Sequence, residues 1–232
     1  LKYLMVRRTR AEIEKYFAND LSKNKVKFPE LEDPRPLYYK LNGEEDKIFM
    51  ETVRLITQQF TYARYMPLLY FIKVISAFEE QSQRNMGGFM KVLLVKRLES
   101  SFYAFRKTID RFIKSYQMFI QEYEKGNVYV SKKYFNKILE LLEQGDDVGV
   151  QRLIDEGKAE RYDSELFKPE LGMDLNKDYQ ILCQIKQMWE KITRDPKLET
   201  FLEVLNTNPI LKNKKLIVFT ESKETAEYLV EN

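Results

Sequence analysis

The chain has 232 residues, 44% hydrophobic and 32% charged, with a formal net charge of +3, which is enough for one or two packed cores and too mild to argue for nucleic acid. Histidine is absent and cysteine occurs once, at Cys183, which excludes an internal disulfide, a cysteine-cluster zinc site, His-based nucleophile systems and histidine metal sites. Only 8 Gly and 7 Pro leave little room for a turn-rich all-β fold, and no apolar run approaches the ~20 residues of a membrane span, so a cytoplasmic helical body is expected.

In chain order, Leu1 to Asn19 reads as a basic strand or loop that enters a helix at about Arg10. Lys23 to Pro36 is punctuated by prolines and reads as a linker that cannot be helical throughout. Leu37 to Leu41 is apolar and β-prone and predicts one short strand. Asn42 or Gly43 starts a helix with Glu44, Glu45 and Asp46 in its first turn, where the helix dipole favours anions. Pro67 interrupts, and Leu68 to Phe78 predicts a more apolar helix. After Gly87-Gly88, the spacing of Phe89, Leu93, Leu98, Phe102, Phe105, Ile109 and Phe112 predicts one long helix ending near Gly126. Ser100 and Ser101 then fall mid-helix, an unfavourable place that hints at close packing or a polar contact.

Val128 to Val130 reads as a short extended run, followed by helices at about Ser131 to Gln144 and Asp146 to Glu156. Tyr162 to Asn176 reads as irregular. A long helix is predicted from about Asp178 to Thr193, with Cys183 on its buried face, and Asp195-Pro196-Lys197 starts another over Leu198 to Asn206. Leu216 to Phe219 is a short all-apolar run and predicts a buried strand, with Thr220 or Ser222 capping the helix that follows. Such a strand–helix unit has to join more strands to bury both faces, so the end of the chain reads as the opening of a further domain.

Phe219-Thr220-Glu221 after its apolar strand resembles the first strand and helix of the second RecA-like lobe in Swi/Snf-type helicase-like ATPases. Leu4-Met5-Val6-Arg7-Arg8-Thr9-Arg10-Ala11-Glu12-Ile13 resembles the exit from the first lobe of the same family. Phe89 to Phe112 is similar to a segment of bacterial members with long insertions, and Asp195-Pro196-Lys197 resembles a helix start that leads into the second lobe. The resemblance covers both ends and the middle of the chain. It implies a mainly α fragment with a minor strand component at its ends. Residues 1–41 would be the exit from lobe one plus linker, 42–212 a helical insertion, and 213–232 the start of lobe two. The parent would use ATP and magnesium to move along duplex DNA, and its remaining lobes would be partners of this segment.

Charge is uneven along the chain. From Arg84 to Lys114 there are eight cations against two acids, and from Glu140 to Glu170 ten acids against four cations. A basic helix of this kind can neutralise several phosphates in a salt-dependent way, or its cations can pair with acidic neighbours on a solvated face. With the family resemblance, nucleic-acid contacts are expected at Lys96, Arg97, Arg106, Lys107, Thr220 and Ser222, and interdomain contacts at Arg7 and Arg8. The alternative is a helical protein-interaction module whose charged faces bind partner domains. The tyrosines at helical spacing, Tyr62, Tyr65, Tyr103 and Tyr116 among them, read as core rather than as base-stacking platforms.

The motifs of nucleotide chemistry are missing. Gly87-Gly88-Phe89-Met90-Lys91 lacks the spacing and the Ser/Thr of a phosphate-binding loop, and no Asp-Glu box follows an apolar strand. No catalytic residue, metal ligand or cofactor is therefore assigned to this chain, and no nucleotide hydrolysis is expected of it.

Overall fold

Three long helices organise the protein, because each carries apolar residues at three- and four-residue spacing on one side. In this computed structural model, residues 8–29, 33–130, 160–209, 211–212 and 215–232 are described. Eight α-helices occur among them: α1 (Arg10–Tyr16), α2 (Ala18–Lys23), α3 (Gly43–Arg54), α4 (Ala77–Ser100), α5 (Phe102–Glu124), α6 (Glu170–Glu190), α7 (Pro196–Thr207) and α8 (Lys223–Glu231). Two strands, β1 (Asn127–Val130) and β2 (Glu160–Asp163), pair antiparallel with Val128 opposite Tyr162. The fold is thus mainly helical with one small sheet, and the chain divides into two units, Leu1–Leu37 and Tyr38–Asn232.

The first unit holds α1 and α2. Thr9 caps α1 in a reciprocal capping box with Glu12, so the expected helix start at Arg10 is correct. The linker that follows is non-helical where it is described, and Lys25 has a positive φ of 52°.

In the second unit, Asn42 caps α3 and Glu45 reaches back to its backbone N–H. The core is built by α5, which presents Phe102, Phe105, Ile109, Phe112 and Tyr116, against α6, which presents Leu171, Leu175, Ile181, Leu182, Ile185 and Trp189. α4 covers the same core with Met86, Met90, Leu93, Leu94 and Leu98. Trp189 packs edge-on against Phe102 and donates its indole N–H to the buried Thr52 hydroxyl at 2.8 Å. Burying such side chains contributes roughly 1.5–3 kcal/mol each before entropy is subtracted.

Several boundaries differ from the sequence reading, each for a local reason. The long helix predicted from Phe89 is two helices. Ser101 adopts an extended conformation (φ −158°, ψ 152°), its hydroxyl caps α5 at the Ala104 N–H, and the chain turns. Gly87-Gly88 does not start a helix but lies inside α4, where a Cβ on Gly87 would meet the Met66 sulfur at 2.2 Å. The predicted helix Leu68 to Phe78 is a 3-10 turn over Pro67–Tyr70 followed by extended chain, because Ser76 caps α4 in a box with Glu79. α6 begins at Glu170, eight residues before the expected start, inside the stretch read as irregular, which also supplies β2.

The strands expected at Leu37 to Leu41 and Leu216 to Phe219 are not strands. The first has no ladder. The second makes no ladder among the described residues, with Leu216, Ile217, Val218 and Phe219 at 43%, 82%, 52% and 90% exposure. The minor strand component therefore lies mid-chain, at β1 and β2. The helices predicted within 131–156 lie outside the described residues.

Candidate functional site

Four helix termini meet at one place. The carboxyl end of α4 leaves the Glu99 and Ser100 carbonyls without helical donors, as every helix end must. The half-buried Lys197, one residue into α7, donates to both, at 2.5 and 3.0 Å. Burial there lowers the Lys197 ammonium pKa. Asp195 caps α7 through Lys197 N and Leu198 N, and its other oxygen accepts from the Tyr228 hydroxyl at 3.3 Å.

Onto this junction docks α8. Ser222, one of the two caps the sequence offered, caps it by accepting from Thr225 N. Thr225 then sits within hydrogen-bond distance of both Ser100 and Ser101, Oγ to Oγ1, at 2.9 and 3.0 Å. These are the paired serines whose position hinted at close packing or a polar contact. Tyr228 stacks on Tyr103 with ring centroids 4.7 Å apart and planes 2° from parallel.

The cations converge on the same helix. Arg111 donates to Glu224 at 2.6 Å, with the two side chains 26% and 15% exposed. Lys96 donates to Glu221 at 3.1 Å, both ends in solvent. Burial pushes the Glu224 carboxyl up, but Arg111 and the hydrogen bonds from Ser222 and the backbone outweigh it, so its pKa lies below the ordinary 4.5. Burial raises Tyr228, and the Asp195 carboxylate raises it further while Arg106 opposes. Lys107 lies 5.4 Å from the Tyr103 ring centroid, and Arg106 donates through Nη2 to the Ile192 carbonyl.

Of the residues expected to meet nucleic acid, Lys96, Arg106, Lys107 and Thr220 are exposed, and the first three surround the docked helix. Two are not on the surface. Arg97 is 3% exposed, because its position on α4 falls on the core-facing stripe with Leu93, Leu94 and Leu98, and Ser222 is 1% exposed because it caps α8. Among the described residues, several of the eight cations of 84–114 have partners nearby. Arg84 pairs with Glu80, Lys91 with the Thr57 carbonyl, and Lys96 and Arg111 with α8. Arg8 lies 4.9 Å from the Phe17 ring centroid, and Arg7 is outside the described residues.

Beside the junction, α5 and α6 leave a cleft of about 170 Å³ floored by Phe105, Ile109, Ile185 and Trp189, and the Lys186–Asp110 pair at 2.7 Å lies on its rim. It holds no nucleophile–base pair.

A second polar node lies in the core and has no counterpart in the sequence reading. Asp178 on α6 is fully buried and accepts from Thr61 N (2.6 Å), Thr61 Oγ1 (3.0 Å), Ala63 N (3.0 Å) and the Tyr116 hydroxyl (2.9 Å). Burial raises its pKa from 3.8 to about 6, with those four donors opposing. The two backbone bonds bracket Tyr62, which is held in the left-handed region at φ 61°, rare for an aromatic residue. Asp178 therefore shapes a loop. Its sequence signal was an acid at a stripe position between Leu175 and Leu182.

Among the described residues no group of three or more His, Cys, Asp or Glu could hold a metal, and no helix is long and apolar enough to cross a membrane. No protein-family model, characterised protein or solved structure matches the chain.

Proposed function

We propose that this chain is the non-catalytic helical insertion of a Swi/Snf-type ATP-dependent DNA translocase, running from the exit of the first lobe into the start of the second. In that reading it contacts the backbone of duplex DNA and couples the two lobes, while ATP and magnesium belong to the parent. The observation that supports it best is the convergence of Lys96, Arg106, Lys107 and Arg111 around the docked helix α8. That helix is the one whose sequence resembles the opening of lobe two, so in this reading cations and lobe entry would share one location. The exposed apolar run Leu216–Phe219 is compatible with a strand that completes a sheet with further chain.

A second reading, a helical protein-interaction module without nucleic-acid binding, is favoured by a different fact. Lys96 and Arg111 already have carboxylate partners within the chain.

Fluorescence anisotropy with a labelled DNA duplex discriminates the two. The Lys96→Glu, Arg106→Glu, Lys107→Glu variant is compared with the wild-type chain after circular dichroism shows both folded. Exposed Arg106 and Lys107 are expected to sustain measurable wild-type binding at low salt. The variant is expected to bind at least about tenfold more weakly, with a salt slope shallower by about 3. A folded chain that ignores duplex DNA at low salt, both as wild type and with Glu221→Gln and Glu224→Gln, would leave the interaction module as the better reading.

A further inference from the structure

We propose that α8 is a detachable acidic plug on the basic face: Glu221 and Glu224 hold Lys96 and Arg111 in the way backbone phosphates would, so docking of α8 and binding of a polyanion exclude one another. The inference rests on the DNA-binding reading above and specifies how that site is regulated.

Three observations carry it. First, the partners match. Lys96 and Arg111 lie on two different helices and are separated by fifteen residues, yet both are met by carboxylates three residues apart at the start of α8. Each pair is a charge-assisted bond of the kind that a phosphate oxygen replaces atom for atom. Secondly, the docking is polar. Within 215–232 the buried residues are Ser222 and Thr225, and α8 leaves Val230 88% exposed. A helix held by hydroxyls, one aromatic stack and two ion pairs, with little apolar area, has a small release cost that falls further with competing anions. Thirdly, no secondary structure ties down the chain leading into α8 among the described residues. Residues 215–220 are exposed, with no ladder among the described residues.

Release would free the exposed Lys96 from its carboxylate and uncover Arg111, adding both to the already exposed Arg106 and Lys107. It would also uncover the Tyr103 ring and the Ser100 and Ser101 hydroxyls, which can donate to phosphate oxygens. Lys197 would stay in place, because it holds α4 carbonyls rather than α8.

The test uses the whole 232-residue chain and two perturbations of opposite sign. Glu221→Gln with Glu224→Gln removes the competing charges. It is expected to bind a labelled DNA duplex about tenfold more tightly than wild type at moderate salt, with a salt slope steeper by about 2. Ser100→Cys with Thr225→Cys, in a Cys183→Ala background, allows α8 to be locked by oxidation and released by reduction in one folded sample. The oxidised form is expected to bind at least about tenfold more weakly than the reduced form. Equal affinity of oxidised, reduced and double-Gln proteins, with binding present in all, would overturn the plug and leave the DNA reading standing. Absence of binding in every form, including the double-Gln variant with α8 shown open by limited proteolysis, would overturn both.

Discussion

The protein has two carboxylate-centred nodes that use the same chemistry to opposite ends. Asp178 is sealed in the core, and its hydrogen-bond donors are two backbone N–H groups and two hydroxyls, all neutral. Glu224 sits at the edge of α8, faces the Arg111 guanidinium and keeps partial access to water. Burial without a counter-charge raises one pKa to about 6, while a cation holds the other below 4.5. The difference separates a fastener that fixes a backbone conformation from a contact that ions can exchange.

The largest expected effect comes from breaking the buried node. Asp178→Ala strands Thr61 N, Ala63 N and the Tyr116 hydroxyl without their acceptor and releases the strained Tyr62. A loss of about 3–5 kcal/mol is expected in urea denaturation, enough to threaten folding. Retention of stability within about 1 kcal/mol would mean that the loop holds its shape unaided.

Next in size is Gly87→Ala. Its new methyl group would collide with the Met66 side chain between α4 and the loop, and a cost of about 1–3 kcal/mol is expected. Gly88→Ala meets nothing within 4 Å and is expected to stabilise by about 0.5–1 kcal/mol through helix propensity. Thermal melts of the two variants should move in opposite directions.

The pH dependences of the two nodes should also oppose one another. Asp178 has a raised folded pKa, so its contribution is fully present below the unfolded 3.8 and is lost as pH rises through about 6. Between pH 7 and pH 5 the stability of wild type relative to Asp178→Asn should grow by about 1 kcal/mol. Glu224 has a depressed pKa, so its contribution is present above the unfolded 4.5 and disappears as pH falls through the folded value. Acid should therefore tighten the core first and then release α8, which proteolytic sensitivity near 215–222 would report.

The smallest effects belong to the periphery. Glu224→Gln should cost about 1 kcal/mol and lose that penalty in high salt, whereas Lys96→Gln should stay within about 0.5 kcal/mol. A Lys96 effect as large as that of Glu224 would show that the exposed pair is better ordered than its exposure implies.

Much of the helical body was legible from residue order alone. Thr9, Asn42, Asp195 and Ser222 announce four helix starts because capping chemistry is local and needs only the next three residues. The α5 stripe from Phe102 to Tyr116 is a local pattern for the same reason, and Val128 to Val130 and Gly126 mark β1 and the turn before it. The candidate site was half legible. The basic stretch and the paired serines were visible, but nothing in a linear charge count separates Arg97, which faces the core, from Lys96, which faces water.

What only the tertiary structure decided is which distant groups meet. Thr225 reaching Ser100, Glu224 reaching Arg111, and Asp178 reaching Thr61 and Ala63 are pairings across more than a hundred residues. Local propensity carries no information about them, because they are selected by the burial of the whole core and by the hydrogen bonds that buried polar groups must find. The amino-acid order thus specified about half of the helix starts by short-range chemistry, while packing set where α4 ends, how Tyr62 turns, and that the basic face lies beneath an acidic helix.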